Sequence, residues 1–265
     1  MKKIFLAISV VSMLYGPAFA VVPVDAETTQ NWDTSKSTHF IVSFKKAPQE
    51  FIEQIINRAE DYYDKIAENL GFTRFNFWLW DNRANIYIYD NADDYRVSTK
   101  QPAWSVGAAR PREKLIYTYP YAQGFFETVL PHEMGHIIFR EFVGSDNPAV
   151  PTWLDEGVAS YQQSLQYSMA LPLARKAAAN GTLHSLEKLT AINPQSITDT
   201  ASAQLYYAEA ISIVDYLIKE FGKDSFVLFC QDLRDKRDLQ RAICSVYPFS
   251  NLQEFDQAWQ KYLKK

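Results

Sequence analysis

HEMGH, residues 132–136, carries two histidines four positions apart with a glutamate directly after the first. On a helix, residues at this spacing project from one face about 6 Å apart along the axis, so His132 and His136 can bind one zinc ion. Glu133 then lies beside the open coordination position, where it can accept a proton from water. The stretch predicts a zinc helix, and the alternative is a helix with two structural histidines.

A second stretch, WLDEGVASY at residues 153–161, offers the third protein ligand that zinc needs. Nineteen residues separate His136 from Glu156, and the apolar residues around Glu156 predict a second helix that could pack against the first. We therefore expect one zinc ion per chain, held by His132, His136 and Glu156. The fourth position is left to a water molecule, whose pKa zinc lowers to about 7.

Together the two motifs resemble those of the gluzincin metallopeptidases, the superfamily that includes thermolysin and the aminopeptidases related to leukotriene hydrolase. WLDEG-V-A is similar to their WLxEG-x-A segment, whose glutamate is the third zinc ligand. The chain is especially similar to the peptidase MA-like families of bacterial gluzincins. A metzincin is excluded because Phe139 and Phe142 stand where it needs Gly and His. His39 and His184, the only other histidines, have no zinc-like spacing to the motif.

The resemblance implies a zinc-dependent peptidase that hydrolyses peptide bonds of peptide or protein substrates, with Glu133 as the general base. Two other functions stay open. A protein of the same fold could bind zinc and act in binding or envelope assembly with little catalysis, although it would have no need of Glu133. A plain structural helical protein would bind no metal. The sequence leaves both the substrate and the choice between endo- and exo-cleavage open.

The N-terminus has the pattern of an export signal. Lys2 and Lys3 precede an apolar run over residues 4–15, and an A-x-A cleavage motif occupies residues 18–20. These features predict a signal peptide over residues 1–20 and a periplasmic or extracellular location. The apolar run is too short to span a bilayer as a helix.

The composition of the chain limits the classes of partner that it can bind. The formal net charge of −4 argues against nucleic acid as a partner. No segment after the signal predicts a membrane span, and the oligomeric state is open. Cys230 and Cys244 are the only cysteines, and in an oxidising compartment they could form one disulfide or remain two free thiols.

The rest of the chain predicts an α+β fold. Residues 21–36 are polar and lack periodicity, which predicts a flexible lead-in, and residues 37–265 form a gluzincin-like peptidase domain. Residues 37–130 predict a small α/β lobe with a mixed sheet, and residues 131–265 a mainly helical lobe, with the zinc cleft between them. In the first lobe the patterns predict strands at 39–44, 75–80 and 85–89, a helix from Pro48 to Leu70, and a helix capped by Asn91. In the second they predict helices at 171–180, 203–221, 224–234, 238–246 and 251–263.

A hairpin is predicted just before the zinc helix, over residues 104–109 and 114–119. In gluzincins the edge strand here pairs with the substrate backbone, so the resemblance assigns substrate binding to Val106, Gly107 and Arg110. The leukotriene-hydrolase-like aminopeptidases carry a GxMEN-type motif here, and this chain has Arg110 where their glutamate would fall. That departure argues against an aminopeptidase of that kind. Arg110 could instead meet a substrate carboxylate or be a solvated turn residue.

Two further side-chain roles follow from the resemblance and the local pattern. Aminopeptidase-like gluzincins stabilise the transition state with a tyrosine downstream of the third ligand, and Tyr207 matches that pattern best. Tyr206 and, less well, His184 are the alternatives. Thr152 and Asp155 resemble a capping box that starts the Glu156 helix, although Asp155 could also be a partner of a ligand histidine.

Overall fold

The computed structural model describes residues 32–75, 77–101, 103 and 105–265. It has the predicted α+β fold, with a small mixed sheet in the first part of the chain and a helical C-terminal part. The predicted signal peptide and the part of the predicted lead-in before residue 32 lie outside the described residues.

The sheet has five strands in the order β1-β2-β3-β5-β4. They are β1 (Asp33–Lys36), β2 (Phe40–Phe44), β3 (Ala84–Ile88), β4 (Gly107–Arg110) and β5 (Leu115–Thr118). The three central strands β2, β3 and β5 are parallel, whereas β1 and β4 pair antiparallel with their neighbours. Within the described chain β4 is therefore an edge strand, and it pairs with β5 as the hairpin prediction required.

Helix α1 (Gln49–Leu70) packs against β2. It begins after Pro48 and ends at Gly71, whose φ of 79° is left-handed and suits glycine. Its buried residues, including Ile55 and Leu70, join the core formed by the alternating apolar residues of the strands. A shorter helix, α2 (Ala92–Thr99), begins as predicted at Asn91, whose side chain accepts two backbone N–H bonds.

Residues 33–36 correct the predicted lead-in. They form β1, with Ser35 opposite Val42 on β2. Hydrophobic periodicity cannot reveal this strand, because its side chains are polar and mostly exposed. Polar residues are common on edge strands, where they limit pairing with other chains.

None of the described residues of the predicted strand at 75–80, which are 75 and 77–80, lies in a strand. Trp78 and Trp80 have φ values of 60° and 56°, which are incompatible with a strand. Phe75 and Phe77 pack instead against Phe142 of the helix Leu130–Val143, with ring centroids 4.8 Å and 6.1 Å away. Aromatic side chains favour strands mainly because they fit half-buried surfaces, and here the helix supplies that surface.

The C-terminal part is helical. Its helices are α3 (Leu130–Val143), α4 (Thr152–Tyr161), α5 (Ser164–Asn180), α6 (Leu186–Ala191), α7 (Thr200–Phe221), α8 (Lys223–Lys236), α9 (Leu239–Val246) and α10 (Leu252–Leu263). Every residue of α7 from Tyr206 to Ile218 is buried, so α7 is the central helix of this part. It contacts α4, α5 and α8. None of the helices in the described ranges is long and apolar enough to cross a membrane.

Candidate metal centre

The two predicted ligand histidines lie on α3. A π-helical turn at Phe125–Val129 leads directly into this helix, and Pro131 lies in its first turn, where the absence of an N–H costs least. His132 and His136 therefore point from one face of a regular helix.

Glu156 of α4 meets these histidines, and the ligand atoms of the three residues lie within 4.8 Å of one another. The Nε2 atoms of His132 and His136 are 3.1 Å apart. Glu156 Oε2 lies 3.6 Å from the first of these nitrogens and 3.8 Å from the second. Two nitrogens bound tetrahedrally to one zinc ion lie roughly 3.3 Å apart, so the spacing fits that metal.

Two glycines allow the helices to approach closely enough for this meeting. A Cβ on Gly135 of α3 would lie 2.8 Å from the Cα of Ala159 on α4. A Cβ on Gly157 of α4 would lie only 2.6 Å from the carbonyl oxygen of Ala210 on α7. The glycine of the second motif thus sets the distance between Glu156 and the central helix.

We expect Gly157→Ala to destabilise the protein by about 1–3 kcal/mol or more, because the new methyl group would collide with the rigid backbone of α7. Urea unfolding of the variant measures this loss. Ser164→Ala, at the exposed start of α5, is the matched control and should unfold like the wild type. An unchanged midpoint for Gly157→Ala would contradict the close packing of α4 on α7.

The second ring nitrogen of each histidine has a protein partner. His136 Nδ1 lies 3.0 Å from Asp155 Oδ1, and His132 Nδ1 lies 3.4 Å from Ser160 Oγ. A carboxylate only accepts, so His136 donates Nδ1–H to Asp155 and turns Nε2 toward the shared site.

The predicted capping box is wrong, because Pro151 is the N-cap of α4 and no side chain caps it. The other reading of Asp155, as a partner of a ligand histidine, agrees with the structure.

Buried carboxylate oxygens without partners are the strongest sign that a cation fits here. Both side-chain oxygens of Glu133 and Oε2 of Glu156 are buried and have no hydrogen-bond partner in the structure. Glu133 is 1% exposed and Glu156 is 5% exposed. Unpaired buried acceptors of this kind are costly, and a divalent cation with its water molecule would satisfy them.

The pKa values of the buried groups at this site also indicate that a cation fits here. Burial raises the pKa of both Glu133 and Glu156 to about 7. Burial also opposes a charge on His136, but Asp155 and the neighbouring glutamates outweigh it and raise the pKa of His136 to about 9. This excess of buried acid groups favours positive charge at the meeting point of the ligands.

Burial and neighbouring charges also shift the pKa values of Asp155 and His132. Burial opposes the charge of Asp155, yet His136 and Arg140 hold the pKa of this carboxyl at about 2. Burial, followed by the nearby His136, lowers the pKa of His132 well below its ordinary value. Asp155 is therefore a stable anion, and His132 is a neutral imidazole that can offer a lone pair to a metal.

The predicted transition-state donors occupy different environments on α7. Tyr207 is 8% exposed, and burial, with smaller contributions from Glu156 and Glu133, raises the pKa of its hydroxyl. Tyr206 is fully buried, and its hydroxyl has no hydrogen-bond partner in the structure. Glu156 influences the pKa of both tyrosines, and Glu133 influences that of Tyr207 as well.

His184 is engaged in another pair. Its backbone N–H and its Nδ1 each lie 2.8 Å from a carboxylate oxygen of Glu209, which is fully buried on α7. This double contact holds the ring in place beside α7. A residue bound in this way fits a structural role better than that of a transition-state donor.

The predicted substrate-binding residues lie on and next to the edge strand. Val106 directly precedes β4, and its carbonyl oxygen accepts a hydrogen bond from Thr118 Oγ1 at 2.9 Å. Gly107 begins β4, and a Cβ there would lie 2.8 Å from Val129, just before the zinc helix. Arg110 ends β4 and is exposed, with its guanidinium 5.7 Å from the ring centroid of Tyr117. Gly107 thus lies against the π-helical turn that leads into α3, and Val106 is bonded to β5, whereas Arg110 lies at the other end of β4.

The sequence motifs did not indicate three residues that lie near the candidate site, namely Gln163, Arg140 and Ser160. Gln163 donates to the carbonyl of Thr128 at 2.9 Å, and its side chain acts to raise the pKa of the predicted ligand His132. Arg140 follows the predicted ligand His136 by one helical turn, and Ser160 follows Glu156 by one turn. This spacing is a signal that could have indicated the last two, because residues four apart share a helix face.

A hydroxyl pair fixes the start of the edge strand. Tyr95 of α2 is fully buried, and its hydroxyl lies 2.7 Å from Ser105 Oγ. Ser105 in turn donates to the carbonyl of Gly107 at 3.0 Å.

Farther away, Cys230 and Cys244 are free thiols, so of the two open readings the structure has the one without a disulfide.

Comparison with known proteins yields one family. The family model described as the Peptidase MA superfamily matches residues 80–265, which is well over half of the chain. The match includes both motifs and the whole helical part. A search of curated proteins finds no match.

Proposed function

The chain belongs to the Peptidase MA superfamily, and from this membership we propose that it is a zinc-dependent peptidase that acts outside the cytoplasm. The observation that carries the proposal is Glu133, a buried carboxylate with two unpaired oxygens directly beside two ligand histidines. A general base needs such a free oxygen, whereas a structural glutamate would have a partner. Export is supported by the signal-like pattern of the N-terminus.

In this proposal His132, His136 and Glu156 hold the metal, and their meeting within 4.8 Å supports that role. Zinc, when bound, lowers the pKa of water to about 7 and polarises a carbonyl group. Asp155 orients His136 by accepting from its Nδ1, so that Nε2 points into the site. Glu133 accepts the proton of the attacking water at a carboxylate oxygen and passes it to the leaving amine.

Tyr207 donates a hydrogen bond to the oxygen that becomes negative as the peptide carbonyl is attacked. The proximity of its hydroxyl to both Glu156 and Glu133 supports this role over that of Tyr206. The substrate backbone lies along β4, whose free edge offers hydrogen-bonding groups to an extended peptide.

Tyr207→Phe should lower kcat by about 10²–10³-fold with zinc content unchanged, because one oxyanion donor is lost. Tyr206→Phe is the matched control on the same helix and should leave kcat nearly unchanged. Steady-state kinetics on a peptide substrate, with metal analysis of both variants, measures the difference. A larger loss in Tyr206→Phe would assign the donor to Tyr206 instead.

A second candidate function is a zinc-binding protein of this fold with a binding or envelope-assembly role. Digestion of a mixed peptide library by the protein, with the new termini identified by mass spectrometry, separates the two functions. Internal cuts would establish an endopeptidase, and trimming of single residues an exopeptidase. Bound zinc without any cleavage would favour the binding role.

A further inference from the structure

The partner of His136 is itself held by an arginine. Asp155 is 2% exposed, and its two carboxylate oxygens have different partners. Oδ1 lies 3.0 Å from His136 Nδ1, while Oδ2 accepts from Arg140 Nε at 2.8 Å and from Nη2 at 2.8 Å. Arg140 thus places two N–H groups on one oxygen and leaves the other to the imidazole.

Arg140 is in turn fixed by its surroundings. It is 8% exposed, and its Nη1 donates to the backbone carbonyl of Asn147 at 3.4 Å. Asn147 is 2% exposed and donates from Nδ2 to the carbonyls of Val143 at 3.0 Å and Leu233 at 2.8 Å. The guanidinium therefore lies in a frame that joins the end of α3, the following loop and α8.

We propose that Arg140 is a positioning residue for the metal centre. It holds the Asp155 carboxylate in the rotation that presents Oδ1 to His136, and so it sets the direction of His136 Nε2. The terminal torsion of an aspartate is broad, so a carboxylate with one partner would not keep a single orientation. This inference rests on the proposed function, since it takes His136 to be a zinc ligand.

The fork of an arginine suits this task better than a single charge. Two N–H groups of one rigid guanidinium fix the position of the Oδ2 atom that they share, and His136 then fixes Oδ1, whereas the ammonium of a lysine acts as a point charge. Because Oδ2 is occupied by Arg140, Asp155 stays outside the ligand set next to Glu156. A purely structural arginine would only neutralise the buried charge of Asp155.

The test compares Arg140→Gln and Arg140→Lys in the full chain. Arg112→Gln is the matched control, because Arg112 forms an exposed ion pair with Asp146 at 2.6 Å. Three quantities are measured: the zinc Kd by chelator competition, the visible spectrum of the cobalt-substituted protein, and the unfolding temperature without metal. We expect Arg140→Gln to weaken zinc binding about 10–100-fold and to change the cobalt spectrum, with no effect of Arg112→Gln.

Arg140→Lys keeps the positive charge and should recover the unfolding temperature but only part of the zinc affinity. If Arg140→Gln fails to fold, the test rests on Arg140→Lys. A zinc affinity and a cobalt spectrum of Arg140→Lys equal to those of the wild type would then overturn the inference. A lower unfolding temperature with unchanged zinc binding in Arg140→Gln would likewise leave Arg140 a charge partner only. Absence of zinc binding by the wild type would overturn the proposed function and this inference together.

Discussion

Glu133→Gln retains zinc and loses at least about a thousandfold in kcat: this is the expected result with the largest effect on activity. The amide has the shape of the carboxylate but no basic oxygen, so it cannot accept the proton of the attacking water. No protein hydrogen bond to Glu133 is lost, because neither oxygen has a partner in the structure. The fold and the three ligands should therefore remain as they are.

Kinetics on a cleaved peptide, with metal analysis of the same samples, measures the effect of Glu133→Gln. Glu127→Gln, in the exposed part of the turn before α3, is the matched control and should have the activity of the wild type. Near-normal turnover in Glu133→Gln would rule out this residue as the general base. Loss of zinc along with activity would show instead that Glu133 contributes to metal binding.

Glu156→Ala should remove the metal, with a loss of zinc affinity well beyond the roughly 100-fold typical of losing a partner of a ligand. Glu156 supplies the only ligand from α4, and its Oε2 is unpaired in the structure apart from the two histidines nearby. Without it two histidines remain, which is one protein ligand too few for a catalytic zinc site. Activity should fall with the zinc content.

Thermal unfolding with and without zinc gives a second readout for Glu156→Ala. The wild type should gain about 2.7 kcal/mol of stability at a free zinc concentration one hundred times its Kd, and the variant should gain almost nothing. Burial makes this carboxylate unfavourable in the absence of a cation, so the metal-free variant should not be less stable than the metal-free wild type. Glu68→Ala on the exposed face of α1 is the control, and an equal zinc-dependent gain in Glu156→Ala would contradict its role as ligand.

The sequence predicted helices better than strands, and the reason is physical. The predicted helix from Pro48 to Leu70 ends at Leu70, before Gly71, and Asn91 caps the next helix as predicted, because helix ends depend on the local properties of single residues. The predicted flexible lead-in missed strand β1, and the strand predicted at 75–80 is wrong. A strand forms through partners distant in sequence, so its existence depends on what the chain places beside it.

The sequence by itself determined the α+β class, the zinc helix and the three candidate ligands, because the spacing of His132, His136 and Glu156 follows from helix geometry and from the chemistry of zinc. Only the tertiary structure decided which partner each polar side chain takes. In the structure Asp155 pairs with His136 and Arg140 and does not cap a helix, and His184 pairs with Glu209. Such pairings depend on the close packing of helices, which the local sequence does not encode, and this packing orients the candidate ligands.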